Sequence, residues 1–391
     1  MDYIFTTSIV KPGQSAQKFH RLLVEGFAVH KESCSVETLS VIPVTPKNHK
    51  RRIWQLPSEV VGNLMIKYNY VPMINLPLVK NLLVFIYAFL KVVLWSLWGG
   101  RKNRVVVCDM LNLTITSAAL LACKLTHLCA VAIVTDLPNL MLATAIQKRT
   151  LNYKLYTMLT SKLMSKYDGY ILLTEQMNEV VNSHSRPHII MEGLVDANMV
   201  TTVNLLGEKA PEKILIYAGG MYEKYGIKKL IEAFMRLEGN DLRLHLYGPG
   251  EMVKDMPDYM KQDDRIVYFG IVENKVVVQK QLEATLLINP RSSEEEFTKY
   301  SFPSKNMEYM VSGTPLLSTP LPGMPKEYIP FVYLFKDESV EGMYETLKDL
   351  LNKPGSELHE FGLLAKNFVL DHKNNYKQAQ RIKSFICQVF K

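Results

Sequence analysis

Short runs of hydrophobic residues alternate along the chain with longer segments whose apolar residues recur at helical spacing. Runs such as RVVVCDM, AVAIVTDL and KILIYAGG are apolar throughout, which is typical of buried parallel strands covered by helices on both faces. The same pattern occurs in DYIFTTSIV, GYILLT, LRLHLYG, RIVYFG and ATLLINP. This alternation predicts an α/β fold built from doubly wound parallel sheets.

The alternation is interrupted at residues 188–213, where HIIMEGLVDANMVTTVNLLGEKAPEK has the composition of a loop. A chain of 391 residues is too long for one ordinary core, because single cores stop growing near roughly 250 to 300 residues. We therefore expect two Rossmann-like domains, 1–205 and 206–370, that face each other across a cleft and bind ligands at the carboxyl ends of their strands. We expect the last segment, 371–391, to form a helix that packs back toward the first domain.

Composition and charge narrow the functional classes. Hydrophobic residues at 48 % and charged residues at 21 % are typical of a folded protein. The net charge of +8 favours anionic partners such as phosphates or acidic lipids, but nucleic-acid binding has no further support. Five scattered cysteines favour a reducing compartment and disfavour structural zinc. With no secretory-signal pattern at its start, the chain is predicted to be cytoplasmic.

Two segments favour contact with a membrane. Residues 81–98, NLLVFIYAFLKVVLWSLW, are apolar except for Lys91 and are flanked by basic residues. They form either a buried core helix or a helix in the membrane interface with Trp95 and Trp98 at headgroup depth. The segment KRTLNYKLYTMLTSKLMSKY interleaves basic residues with Leu, Met and Tyr. Together the two segments predict peripheral attachment to the cytoplasmic face of the inner membrane leaflet.

Glycine residues follow three successive predicted strands in the second half of the chain. Glycine allows an extended ligand to approach the backbone, and a helix that begins after the first glycine pair would favour phosphate. The alternative is that each glycine only completes a tight turn. The residues at these strand ends that we predict to bind a phosphate-bearing ligand are Gly219, Gly220, Lys224, Gly248, Gly250 and Ile271.

The segment INPRSSEEEFTKYSFPSKNMEYMVSGTP places charged residues after another predicted strand. Ser304 is predicted to cap a helix that Lys305 opens, which puts Lys305 and Glu308 on one face of its first turns. The ammonium group can neutralise diphosphate oxygens, and the carboxylate can accept hydrogen bonds from ribose hydroxyls. The pair therefore suits a nucleotide sugar, although a surface ion pair of little energetic consequence is the alternative.

The order YAGG…YGIKKLIEAF, LYGPGE, FG and INPR…FPSKNMEYMVSGTP resembles the second domain of family 4 retaining glycosyltransferases with the GT-B fold. The resemblance is strongest to bacterial polysaccharide-building members, and it covers residues 210–335 well and the remainder loosely. It implies transfer of a sugar, with retention, from a nucleotide-diphosphate donor to a glycan or lipid-linked acceptor. It also implies a role in cell-surface polysaccharide biosynthesis and catalysis without a bound metal or other cofactor.

In this family two glutamates are usually separated by seven residues, and the second contacts the donor ribose. Glu308 matches the second glutamate, and Tyr300 stands at the position of the first. The arginine and lysine that often hold the diphosphate are replaced by Gly220 and Tyr225. The phosphate charge would then come from Lys224, Arg291 or Lys305. The remaining residues of the predicted donor site are Ser301, Phe302, Pro303 and Ser304.

The first domain offers fewer candidates. Gly13 and Gln14 lie in a loop that resembles the acceptor-side loop of the family, so we predict that they bind the acceptor. Asp136 follows the strand AVAIV where relatives often have histidine. We predict that it binds the transferred sugar or accepts the acceptor's proton, with a helix N-cap as the alternative. Asp136, Lys305 and Glu308 are the predicted catalytic residues.

Two other functions stay open at this point. The same fold supports nucleotide-sugar epimerases and phosphorylases. A non-catalytic partner that binds a sugar nucleotide and stabilises another transferase would also explain why the family's first glutamate, arginine and lysine are missing.

Overall fold

The computed structural model describes residues 1–7, 18–29, 34–41, 53–61, 66–76, 79–97, 104–137, 140 and 151–390. The chain divides into two compact units. The first comprises Met1–Leu194 and Asn375–Lys391, and the second is Val195–Asn374.

The first unit contains a sheet in the order β10-β9-β8-β7-β1-β2-β5-β4, in which all neighbours are parallel except β4 and β5. The unit also contains a short antiparallel pair, β3 with β6. Its elements in chain order are β1 (Asp2–Thr7), α1 (Lys18–Ala28), β2 (Val36–Ser40), β3 (Ile53–Trp54), β4 (Glu59–Val61), β5 (Ile66–Tyr70), β6 (Met73–Ile74), α2 (Val79–Leu97), β7 (Arg104–Asp109), α3 (Leu113–Thr126), β8 (Cys129–Val134), α4 (Leu151–Met164), β9 (Gly169–Leu172), α5 (Glu175–Val181) and β10 (His188–Ile190).

The direction of each crossover places the helices of this unit on the two faces of the sheet. The connections through α2, α3 and α4 all move the chain toward the β10 edge, whereas α1 moves it from β1 to β2 in the other direction. Because parallel crossovers are right-handed, α2, α3 and α4 cover one face and α1 covers the opposite one. The central strands β1, β7, β8 and β9 are buried on both faces, as their uninterrupted apolar runs predict.

The second unit contains a parallel sheet in the order β13-β12-β11-β14-β15-β16. The chain moves outward from β11 in one direction and from β14 in the other, so the sheet has its topological switch point between these two strands. Its elements are β11 (Lys213–Ala218), α6 (Ile227–Met235), β12 (Leu242–Tyr247), α7 (Met256–Gln262), β13 (Ile266–Tyr268), α8 (Asn274–Glu283), β14 (Leu286–Asn289), α9 (Ser304–Ser312), β15 (Leu316–Ser318), β16 (Tyr333–Leu334), α10 (Val340–Leu351) and α11 (Gly355–His372).

The α/β prediction with two Rossmann-like parallel sheets is confirmed, but the boundaries differ from those we expected. The second unit begins at Val195, because the segment up to residue 205 packs on that unit. The Asn204 amide, for example, donates hydrogen bonds to Ser312 O at 2.9 Å and Thr314 Oγ1 at 3.0 Å. The predicted loop also contains β10. The last helix, α12 (Asn375–Val389), packs on α1 in the first unit.

Candidate functional site

The carboxyl end of the second sheet gathers most of the predicted donor-site residues at its switch point. The Gly219-Gly220 turn follows β11, and Arg291 follows β14, the neighbouring strand. Helix α9, which carries Lys305 and Glu308, begins at the same edge. Open α/β sheets bind ligands at this position, because loops diverge to opposite faces there and leave a crevice.

Two buried polar contacts hold α9 against the strand ends. The Tyr309 hydroxyl accepts a hydrogen bond from Ala218 N at 2.8 Å and lies 3.3 Å from Ala218 O, at the last residue of β11. The Asn289 amide, at the end of β14, donates to Asn306 Oδ1 at 2.6 Å. Both side chains of α9 are fully buried. These contacts fix the first turns of α9 beside the glycine turn.

Lys305 and Glu308 share one face of α9, as the sequence predicts. Lys305 Nζ lies 3.9 Å from Glu308 Oε2, and the two side chains are 38 % and 34 % exposed. A half-exposed pair at this spacing contributes only about 0.2–0.5 kcal/mol, so a ligand can separate the two groups at little cost. Their geometry leaves both groups able to bind phosphate and hydroxyl oxygens.

The Gly219-Gly220 turn lies directly against Lys305. The Lys305 Cε atom is 3.3 Å from the position that a Cβ atom on Gly219 would take. The Tyr217 hydroxyl donates a hydrogen bond to Gly220 O at 2.9 Å and thereby stabilises the turn. Burial raises the pKa of Tyr217, so this hydroxyl stays a donor. Any larger residue at Gly219 would displace Tyr217 or Lys305.

Arg291 lies against two aromatic rings beside this turn. Its guanidinium carbon is 4.7 Å from the ring centroid of Tyr225 and 5.4 Å from that of Phe297, and the two rings contact each other edge to face with centroids 6.1 Å apart. Desolvation lowers the pKa of Arg291, and within the described residues it has no carboxylate partner. Since arginine stays charged at such a site, the rings support a half-buried cation whose charge is not neutralised. Such a cation can attract an anionic ligand.

Lys224 lies over the same two rings, with Nζ 5.6 Å from the Tyr225 centroid and 5.7 Å from the Phe297 centroid. Its side chain is exposed, so solvent screens its charge more strongly than that of Arg291. Of the three cations that we considered for the phosphate, Arg291 and Lys305 flank the glycine turn and Lys224 lies at its rim.

Gly248 and Gly250 have a structural explanation that the sequence did not reveal. A Cβ atom on Gly248, whose φ is +122°, would lie 1.9 Å from Gly219 O, and one on Gly250 would lie 2.1 Å from Met221 O. The space that these glycines leave is therefore filled by the backbone of the first glycine turn. Met221 N in the loop after β11 donates a hydrogen bond to Pro249 O in the loop after β12 at 2.7 Å, and this bond joins the two loops.

The segment before α9 mixes exposed and structural side chains. Tyr300 is half-buried after a 3₁₀ turn, and the Ser301 hydroxyl donates to Phe297 O at 3.1 Å. Phe302 and Pro303 are buried, with the ring of Phe302 packed 4.7 Å from that of Tyr328. Phe302 thus belongs to the core.

Two further predicted residues occupy exposed positions. The capping prediction for Ser304 is wrong: Pro303 is the N-cap, and Ser304 is the first, exposed residue of α9. Proline has a fixed φ angle, so Pro303 leads from extended backbone into the helix although its side chain makes no cap. Ile271 follows β13 and is 76 % exposed.

The first unit presents a separate polar group at the carboxyl end of its sheet. Asp136 follows β8 and is exposed as a residue, but protein atoms crowd its carboxyl group. This desolvation, and secondly the charge of Asp109, raise the pKa of Asp136. The carboxylate of Asp109, at the end of β7, lies 3.8 Å from His20 Nε2. Gly13, Gln14 and most of the segment after Asp136 where a helix would lie, residues 138–139 and 141–150, are outside the described residues.

Two other features bear on ligand chemistry. In the described part of the chain, no group of three or more His, Cys, Asp and Glu side chains is arranged to hold a metal ion. A groove of about 330 Å³ adjoins the loops after β11 and β14, and both acidic and basic side chains line it, namely Glu223, Glu295, Glu338, Lys224 and Lys229.

Sequence reasoning missed the residues that organise the site. Tyr217 and Tyr309 were predicted only as parts of a strand and a helix, and Tyr225 only as the residue at the position of the family's lysine. No role was predicted for Phe297. The signal that was available is the tyrosine after Glu308, since a buried tyrosine in a helix at a strand end needs a hydrogen-bond partner.

Comparisons with known proteins agree with this architecture. Residues 203–367 match the family model described as "Glycosyl transferases group 1", a range that lies within the second unit. No curated protein sequence matches the chain.

Solved glycosyltransferases share the fold of the whole chain. HepE of Anabaena in complex with UDP has a TM-score of 0.65 at 12 % identity, covering 99 % of this chain and 100 % of that one. The lipopolysaccharide outer core galactosyltransferase WaaB gives 0.64 at 14 %, covering 99 % of each. Sucrose-phosphate synthase of Thermosynechococcus elongatus gives 0.69 at 13 %, covering 100 % of this chain and 99 % of that one. The fold is therefore that of the GT-B glycosyltransferases.

Proposed function

We propose that the protein is a glycosyltransferase of the hexosyltransferase type that uses a nucleotide-diphosphate sugar. The observation that carries this proposal is the cluster of Arg291, Lys305 and Glu308 around the Gly219-Gly220 turn at the switch point of the second sheet. The cluster lies within the range that matches the glycosyltransferase family model. Because HepE was solved with UDP, a UDP-sugar is the first donor to test.

In the proposed reaction, Arg291 and Lys305 bind the diphosphate while Glu308 accepts hydrogen bonds from the ribose. The bond between the anomeric carbon and the diphosphate oxygen breaks, and its electron pair leaves with the diphosphate. An acceptor hydroxyl oxygen bonds to the same carbon and loses its proton. The two cations stabilise the negative charge that develops on the leaving group, which is the main demand of this chemistry.

We further propose that the sugar is transferred with retention and that the second unit binds the donor while the first binds the acceptor. The acceptor is a glycan or a lipid-linked glycan made on the cytoplasmic side, in cell-surface polysaccharide biosynthesis. The similarity in fold to WaaB supports a glycolipid acceptor. Asp136 is the residue that we propose to bind the transferred sugar or to accept the proton of the acceptor hydroxyl. Its raised pKa makes its carboxylate a stronger base than that of an ordinary aspartate.

The proposal is tested by incubating the purified protein with UDP-, GDP- and TDP-sugars and an extract of candidate acceptors. Release of a nucleoside diphosphate that depends on the acceptor, and on Lys305 in a Lys305→Ala comparison, is the expected result. Conversion of the donor sugar without an acceptor would indicate an epimerase. Donor binding without turnover across all acceptors would indicate a non-catalytic partner.

A further inference from the structure

One face of the first unit exposes a stripe of large apolar side chains. On α2, Leu82, Ile86, Leu90 and Leu94 are between 44 and 60 % exposed. They recur every four residues, so they lie on one side of the helix. Solvent-facing helix positions in a globular protein are normally polar, so this side of α2 is suited to an apolar environment.

Two more helices on this face of the sheet expose leucines. Leu125 of α3 is 61 % exposed, and Leu155 of α4 is 48 % exposed. α2 packs on α3, and the right-handed crossovers place α4 on the same face of the sheet. We call the exposed side of these three helices the lipid face. Large apolar side chains exposed together on one face of a unit indicate an interaction site.

The charged residues of these three helices are all of one sign. The segments of α2, α3 and α4 contain no aspartate or glutamate, although the chain has 38 of them. Lys124, Lys154 and Lys162 are exposed on α3 and α4. The two lysines of α2, Lys80 and Lys91, are partly buried and lie beside the leucine stripe rather than on it. Exposed leucines on helices that carry only lysines fit a bilayer with acidic headgroups, because the apolar side chains enter the acyl region while the lysines reach phosphates. A second copy of the same face would instead bring like charges together.

The packing of α2 decides how it would meet the bilayer. By length and composition alone this helix could cross a membrane, but a core helix of a soluble protein passes the same test. Val84, Ala88 and Val92 on its other side are at most 2 % exposed. Trp95 is also buried, with the Arg104 guanidinium 4.8 Å from its ring, so Trp95 is not at headgroup depth in this arrangement. One side of α2 therefore stays in the core.

We propose that the lipid face docks the protein onto an anionic phospholipid bilayer, with α2 lying in the plane of the membrane. The sequence left two alternatives open for this segment, a buried core helix and a helix in the membrane interface. Both apply in part, because one side of α2 packs in the core and the other side contacts lipid. The docking depends on the first unit alone and holds whether or not the proposed sugar transfer is correct.

The experiment is co-sedimentation of the full chain with vesicles of phosphatidylcholine, with and without phosphatidylglycerol. We expect binding to the anionic vesicles that weakens with added salt. Leu90→Glu combined with Leu94→Glu should lower the partition coefficient by about 100-fold, roughly tenfold for each buried leucine. The matched control is Val276→Glu with Leu364→Glu in the second unit, where exposure is similar at 46 and 57 %. It should bind as the wild type does.

A second variant separates the charge from the apolar stripe. Lys154→Glu with Lys162→Glu keeps every leucine and should weaken binding to the anionic vesicles by about fivefold for each lysine. The variant should therefore lose its preference for anionic lipid. Thermal unfolding of each variant checks the fold. Equal binding of wild type and Leu90→Glu/Leu94→Glu, or no binding to anionic vesicles at all, would overturn the proposal. So would a wild-type dimer that the leucine variant converts to a monomer without lipid.

Discussion

Replacing Arg291 tests the central feature of the proposed donor site. The guanidinium is half-buried against the rings of Tyr225 and Phe297 and lacks a carboxylate partner among the described residues, so a bound diphosphate would neutralise its charge. A charge-assisted hydrogen bond at such a site contributes about 2–3 kcal/mol, less than the roughly 4 kcal/mol that Coulomb's law gives at 4 Å in an effective dielectric near 20. Arg291→Ala should therefore weaken UDP binding about 30- to 150-fold.

The assay is calorimetry with UDP and with uridine, because Arg291 is expected to act on the diphosphate alone. Arg291→Ala should lose affinity for UDP and keep its affinity for uridine. Arg291→Lys keeps the charge but loses the planar stacking, so we expect an intermediate affinity for UDP. Arg236→Ala removes an exposed arginine that pairs with Glu341 at 2.9 Å, and it serves as the matched control.

The stability of the Arg291 variants must be measured alongside binding, because Arg291 also packs on the Tyr225 and Phe297 rings. A folded Arg291→Ala protein that binds UDP as tightly as the wild type would refute the assignment of the phosphate charge to Arg291. An equal loss for UDP and uridine would show that the residue shapes the pocket without contacting phosphate.

Other residues give predictions of the same kind. In the same calorimetry, Glu308→Ala should weaken the binding of UDP and of uridine alike, by about five- to tenfold. A loss of affinity confined to UDP would contradict the proposed role of Glu308 at the ribose. Tyr309→Phe leaves the buried Ala218 N–H unpaired and should cost about 1–3 kcal/mol in denaturant unfolding; an unchanged midpoint would show that the bond is not needed. If Asp136 accepts the acceptor's proton, kcat/KM should fall as the pH drops through the raised pKa of Asp136, because only the carboxylate is a base. Asp136→Asn should remove that pH dependence. Full activity of the variant would exclude the role. Turnover should be unchanged by EDTA, and a loss restored by a divalent metal would contradict the metal-free reaction.

Much of the fold follows from local patterns in the sequence. Strands such as Lys213–Ala218 are apolar on both faces, and only a sheet covered by helices on both sides buries such runs. The spacing of Lys305 and Glu308 likewise fixes their common face on α9, because helix geometry alone decides it. These features depend on neighbours a few residues apart, so the sequence determines them directly.

Other elements depended on less regular signals. β2 and β5 carry polar residues such as Thr38 and Asn69 that are buried only because neighbouring strands and helices cover them. The unit boundary at Val195 depends on contacts between the segment up to residue 205 and distant parts of the second unit, such as Ser312 and Thr314. Local composition predicts the interruption at residues 188–213, and these long-range contacts decide where within it the second unit begins.

The sequence by itself determined the class of fold, the glycine turn after β11 and the charged face of α9. Only the tertiary structure decided that Arg291 lies against Tyr225 and Phe297, that Gly248 and Gly250 make room for backbone, and that one side of α2 remains uncovered. The physical reason is the range of the contacts. Periodicity and turn chemistry act within one element, whereas burial, stacking and close backbone approach depend on which distant elements the fold brings together.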